Sequence, residues 1–184
     1  MATRSVAMAA MALLCLGAVS AARTGVKGGP LWPALSSCQQ KVDSTPFRVN
    51  NVTTTALPGN TVCFGFSAVA APAGNCGRAA TLDRVNVWAS HANRTMINGY
   101  SIRTATTTDA ISGTWSKKGD SYDELTFSKL GWTADYITKN SPRICLTLDH
   151  DATLDDICVG KGACVVALYS VGAKNSKCCP TYKV

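Results

Sequence analysis

Five of the nine cysteines in this 184-residue chain fall between Arg143 and Pro180: Cys145, Cys158, Cys164, Cys178 and Cys179. Thiols at that density hold a metal, carry redox or nucleophilic chemistry, or bridge in pairs. A zinc site asks for CxxC pairs or histidines at ligand spacing. Cys158-x5-Cys164 and the adjacent Cys178-Cys179 offer neither. A catalytic nucleophile needs a base held beside it. The only histidines are His91 and His150, and no GxSxG elbow is present. His150 stands between Asp149 and Asp151, but strand alternation points it away from both. A loop histidine without a role is expected there.

The carboxylates are next. A calcium loop starting at Asp149 would need Asp or Asn fifth, Gly sixth and Glu twelfth. Those positions hold Thr153, Leu154 and Gly160. Helix capping explains the same residues, with Thr153 as N-cap and Asp155 and Asp156 in the first turn against the positive end of the dipole. Asp120, Asp123 and Glu124 contain enough carboxylates for a glycosidase pair, although a turn rich in Lys, Gly and Asp is the ordinary reading. Trp88, on the polar side of its strand, packs beneath a loop in the ordinary reading and is a possible glycan contact in the functional one. No catalytic residue, metal or cofactor is assigned.

The amino terminus decides what the cysteines do. Residues 1–22 predict a secretory signal peptide: Arg4 supplies the positive charge, Val6 to Gly17 the apolar run, and Val19-Ser20-Ala21 the small-residue cleavage site. That run is short for a membrane anchor, which needs about twenty apolar residues, and no later transmembrane segment is predicted. The C-terminal CCPTYKV shows neither a GPI-type tail nor a retention signal. Cys15 leaves with the signal. The remaining eight, Cys38, Cys63, Cys76, Cys145, Cys158, Cys164, Cys178 and Cys179, read as a disulfide framework with 105 possible pairings. Bridged Cα atoms sit about 5.5 Å apart, against about 3.8 Å for sequence neighbours. Cys178 and Cys179 are therefore expected to reach two different partners and to clamp the tail onto the body.

The net charge of +7 falls to +6 without Arg4. Basic residues are scattered, with Lys117-Lys118 the only adjacent pair, so no nucleic-acid partner is expected. The ordinary reading is a solvated, mildly cationic surface. The functional one is a salt-sensitive attraction to acidic or sulfated polysaccharide outside the cell. Asn51-Val-Thr53 and Asn93-Arg-Thr95 are N-glycosylation sequons, and Asn140-Ser-Pro is not.

These features must be positioned by short strands. Residues 23–37 are Gly- and Pro-rich without a period, an arm with an anchor candidate at Trp32, and the domain is expected over 38–184. Strand patterns follow in PFRVNNVTTT, TVCFGFSAV, LDRVNVWAS, ELTFSKLGW, RICLTLDH and CVVALYSV. Val62, Phe64 and Phe66 share one face, as do Ile144, Leu146 and Leu148. The last segment is nearly continuous in apolar residues, as a strand buried on both faces would be. The fold class expected is all-β and sandwich-like, disulfide-stabilised, with one or two short helices.

The order of these motifs resembles the pherophorin domain of secreted matrix glycoproteins from volvocine green algae. The resemblance rests on ICLTL, then TLDDIC, then Gly-x-Cys164 leading into VALY, and a closing Cys178-Cys179-Pro180. Upstream it rests on Thr61-Val-Cys63-Phe64, Leu82-Asp-Arg-Val-Asn-Val and an Asn98-Gly99 turn. The family often has cysteines where this chain reads Ala89-Ser90-His91-Ala92 and His150-Asp151-Ala152; their joint loss is what losing one mutual disulfide would leave. The hydroxyproline-rich rod of many members is absent. The resemblance implies a non-catalytic glycoprotein of the extracellular matrix or cell wall, with matrix polysaccharides or matrix glycoproteins as partners. The rodless arrangement implies, as the alternative, a diffusible sexual-inducer-like signal.

Overall fold

The computed structural model describes residues 38–56, 60–117, 123–159 and 163–184. The signal peptide, the arm and Asp120 lie outside the described residues. In chain order the first strands are β1 (Phe47–Ala56), β2 (Asn60–Ala68), β3 (Thr81–Trp88), β4 (Ile97–Arg103), β5 (Thr108–Ala110) and β6 (Thr114–Lys117). Then come β7 (Asp123–Thr133), helix α1 (Ala134–Asn140), β8 (Arg143–Leu148), helix α2 (Leu154–Ile157), β9 (Val165–Val171), β10 (Lys177–Cys178) and β11 (Thr181–Lys183). One antiparallel sheet has the order β1-β2-β8-β4-β5, and the other β10-β9-β3-β7-β6, with β11 also pairing to β9. The expected all-β, disulfide-stabilised sandwich is the observed fold.

The core lies between the sheets and follows from period-two alternation. Val62, Phe64 and Phe66 of β2 and Ile144, Leu146 and Leu148 of β8 are buried there against Val85 and Val87 of β3, Leu125 and Phe127 of β7, and Val166 and Leu168 of β9. Tyr100 of β4 meets Phe127 edge-on at 5.5 Å, and Phe66 meets Trp132 of β7 at the same distance. Such pairs add about 0.5–1.5 kcal/mol each beyond the area they bury.

Two irregularities matter. Strict alternation would place Leu82 and Val85 on opposite faces, yet both are fully buried in the core. The register shifts between Leu82 and Arg84, and this bulge returns Leu82 to the inner side. Asn98-Gly99, read from the sequence as a turn, lies inside β4, where the register shifts between Ile97 and Gly99. The chain goes straight on as a strand because Tyr100 and Ile102 reach the core two residues later.

α2 forms as expected: Thr153 and Asp156 make a reciprocal capping box, with Thr153 N–H donating to Asp156 Oδ2 at 2.8 Å. α1 is the longer helix and was not expected. Thr133 Oγ1 accepts from Tyr136 N–H at 3.1 Å, Asp135 and Lys139 complement the dipole, and Ser141 closes the helix in the left-handed region at φ 45°. Ile137, its one fully buried side chain, docks the helix against the core. Seven residues are too few for an apolar period to show.

Phe127 of β7 joins the two layers through its edge-on contact with Tyr100 of β4. Phe127→Ala should lower unfolding stability by about 3–5 kcal/mol in denaturant titrations. A loss below about 1 kcal/mol would mean that the sheets do not pack at this point.

Candidate functional site

All eight cysteines of the domain are bridged: Cys38–Cys179, Cys63–Cys145, Cys76–Cys178 and Cys158–Cys164. Cys63 and Cys145 sit directly opposite each other on β2 and β8. Cys178 and Cys179, as neighbours on an extended segment, point in opposite directions and so reach different partners. The backbone adds to the clamp, because Gln39 N–H donates to Lys177 O and Cys179 N–H to Gln39 O, each at 2.9 Å. Beyond the cysteines, Tyr182 of β11 donates its hydroxyl to Phe47 O at 3.0 Å, which ties the last strand to the start of the first. Arg48 donates to the same carbonyl at 2.8 Å and pairs with Asp43 at 2.7 Å.

Among the described residues the histidines and carboxylates form no cluster of three or more. Asp123 and Glu124 are consecutive residues of β7 rather than of a turn, so they face opposite sides of the sheet. Asp123 Oδ2 accepts from His91 N–H at 2.9 Å, while Glu124 Oε2 accepts from Asn86 Nδ2 at 3.1 Å. Side chains on opposite faces cannot flank one glycosidic bond. His150 Nδ1 lies 3.1 Å from Asp151 Oδ1, contrary to the alternation argument, because β8 has ended at Leu148 and both side chains are in an exposed turn. Asp149 accepts from Asn98 Nδ2 at 2.6 Å. The hydrogen bonds from the Thr153 hydroxyl and backbone hold the Asp156 carboxyl below its ordinary 3.8. Asp149, Asp151 and Asp156 are thus each engaged in a separate local contact.

Of the sequons, Asn51 falls in β1 where its register with β2 shifts between Val49 and Val52. Asn93 lies in the 3-10 turn His91–Met96, half-exposed, with Nδ2 donating to Asp156 O at 2.5 Å. That turn packs on α2, so the two segments where family members often carry cysteines lie at one end of the sandwich.

The outer faces of the two sheets differ. On the second, Arg84, Asn86 and Trp88 of β3 project between Tyr169, Ala167 and Val165 of β9 and Ser128, Thr126 and Glu124 of β7. Arg84 lies 3.9 Å over the Tyr169 ring. Trp88 is only 6% exposed, packed with Val165 and Ala167. Alternation does put it outward, but outward is not open here, and it presents no free ring face to a sugar.

On the first sheet, one outward cross-strand row is Thr53, Cys63, Cys145, Ser101, Ala110, and the next is Gly65, Arg143, Arg103, Thr108. No carboxylate stands in either row. Beside them opens a cleft of about 500 Å³, lined by Asn50, Thr53, Ser67, Thr138, Ser141 and Arg143 with Phe66 and Ile137 beneath. Ser67 Oγ donates to Asn50 Oδ1 at 2.7 Å. Arg103 and Arg143 were not singled out in the sequence. Their alternation with Ile102 and Ile144 marks both as outward, but the pairing of β4 with β8 across some forty intervening residues does not show in a single chain.

The described residues thus form a two-sheet β-sandwich stapled by four disulfides, with one hydroxyl-rich outer face. The sequence profile of the pherophorin family matches residues 32–180, and the chain belongs to that family. It is 26% identical over 169 residues to the sexual inducer glycoprotein of Volvox carteri, a match covering 80% of each chain. Among solved structures it is similar to ACE19, the collagen-binding subdomain of the Enterococcus faecalis surface protein ACE, at 13% identity and a TM-score of 0.31, covering 78% of this chain and 97% of that one. At that score neither fold nor function carries across.

Burial raises the Tyr182 pKa above its ordinary 10.0, and the smaller pull of the Arg48 charge in the opposite direction does not cancel it. The folded state thus favours the neutral phenol. The corresponding stability is complete below pH about 10 and is lost as pH rises through the raised value. Tyr182→Phe should remove this alkaline loss while costing about 1 kcal/mol at neutral pH for the missing hydrogen bond. Melts across the alkaline range check this. An unchanged alkaline profile would show that the phenol is not buried against Phe47.

Proposed function

We propose that this protein is a secreted, non-catalytic glycoprotein of the volvocine extracellular matrix or cell wall. It is held there by matrix polysaccharide or by other matrix glycoproteins. The observation that carries this reading is the pherophorin match over residues 32–180 on a fold whose eight domain cysteines are all bridged. Bridges persist in oxidising compartments outside the cell. The predicted signal peptide and the sequons at Asn51 and Asn93 support the same route. No helix among the described residues is long and apolar enough to cross a membrane. The engagement of Asp123, Glu124, Asp149, Asp151 and Asp156 in separate local contacts supports a role without catalysis.

A second reading has a specific observation behind it. The similarity to the sexual inducer glycoprotein extends over 80% of each chain, and this favours a diffusible signal that acts through the matrix. The two readings part on where the protein stays.

Immunolocalisation should find the native protein mainly in the wall or matrix, and a wash at about 1 M salt, where the screening length is about 3 Å, should release it. Protein found only in the medium would overturn matrix retention. A developmental or mating response to purified protein added to cells would then establish the signalling reading, and none at any dose would remove it.

A further inference from the structure

Arg103 of β4 and Arg143 of β8 are direct cross-strand partners on the outer face of the first sheet. Directly opposed like charges stand about 4.5–5.5 Å apart at Cβ and destabilise a sheet unless something neutralises them. No described residue supplies an ion pair or hydrogen bond to either guanidinium. Arg103 Nε is buried and unpartnered. A methyl group built on Gly65, the next residue in the same row, would lie 3.8 Å from Arg143 Cγ and 3.5 Å from Asn50 Cβ. The stem of Arg143 therefore crosses a floor that has no side chain, toward the cleft that also holds Asn50 and Ser67.

We propose that Arg103 and Arg143 form an oxyanion site for an acidic polysaccharide. A sulfate ester or a uronate carboxylate sits between the two guanidinium groups, and the sugar ring lies in the adjoining cleft against Asn50, Ser67 and Thr53. Arginine suits this role because its planar fork donates two parallel hydrogen bonds to one oxyanion. Hydroxyl and amide groups beside it match sugar hydroxyls. An unneutralised arginine pair then has a reason to persist, since the ligand supplies the missing charge. This inference rests on the matrix reading and gives it a ligand chemistry and an address.

The test titrates the purified full chain with dextran sulfate, polygalacturonate and neutral dextran at about 50 mM and about 500 mM salt, the higher concentration screening exposed charges. Binding to at least one acidic polymer is expected, weakened by salt, with none to neutral dextran. The preferred acidic polymer distinguishes sulfate from carboxylate. The double variant Arg103→Gln/Arg143→Gln should bind about tenfold or more weakly, as loss of charge-assisted hydrogen bonds implies. Lys183→Gln, which removes a cation from the second sheet, should change binding less than about twofold, as expected for an exposed charge. Should the double variant fail to fold, the single Arg→Lys variants keep the charge but lose the fork, and several-fold weaker binding is expected of each. Equal binding by wild type and folded Arg variants would overturn the site, as would failure of wild type to bind either acidic polymer at low salt. Matrix retention of both forms in cells would overturn the site while leaving the matrix role standing. Loss of wild-type retention would overturn the matrix role itself.

Discussion

The structure depends on how the chain's last residues are fastened. Cys178 and Cys179 leave the backbone in opposite directions, one bridging to Cys76 and the other to Cys38, closing sequence separations of 102 and 141 residues. Each bridge of that span removes unfolded-state freedom by about 2–4 kcal/mol. Between the clamp and Cys164 runs β9, which pairs with β3 on one edge and with β10 and β11 on the other. β9 therefore sits inside its sheet, and Val165 to Leu168 are buried on both faces. Without the clamp, the two short strands that cover its edge, with two and three residues, would have little to hold them. Tyr182 extends the same fastening to β1 through the Phe47 carbonyl.

That fastening frees the outer surface of the sandwich from structural duty unevenly. On the second sheet, Asn86, Glu124 and Trp88 are buried and serve packing. On the first sheet, the Cys63–Cys145 bridge pins β2 to β8 from the outside, and the positions around it are threonine, serine, glycine and arginine. A rigid backbone spaces those groups at fixed intervals of about 4.8 Å across strands. The proposed oxyanion site lies on this face.

Much of this was legible in the chain. Alternation at Val62, Phe64, Phe66 and at Ile144, Leu146, Leu148 gave the inner faces of two strands, and the unbroken apolar run gave the central β9. The capping box at Thr153 was legible because its signal is local. What failed to show was non-local or short. Asn98-Gly99 carries a turn signature, and only the pairing of β4 with β8 shows that it is a bulge. Asp123 and Glu124 looked like a turn because Gly119 and Asp120 precede them, yet their register with Trp88 and Ala89 draws them into β7. Trp88 faces outward as alternation implies and is covered, by Val165 and Ala167 of the neighbouring strand. His150 lies two residues past the end of β8, where strand alternation no longer applies. Arg103 and Arg143 acquire meaning only as a pair.

The central claim, that the two neighbouring cysteines reach opposite parts of the fold and close it, is tested most directly by peptide mapping of the native, unreduced protein by mass spectrometry. The account predicts no free thiol in the domain and crosslinked peptides joining Cys38 to Cys179 and Cys76 to Cys178. A bridge between Cys178 and Cys179, or free thiols at either, would contradict it.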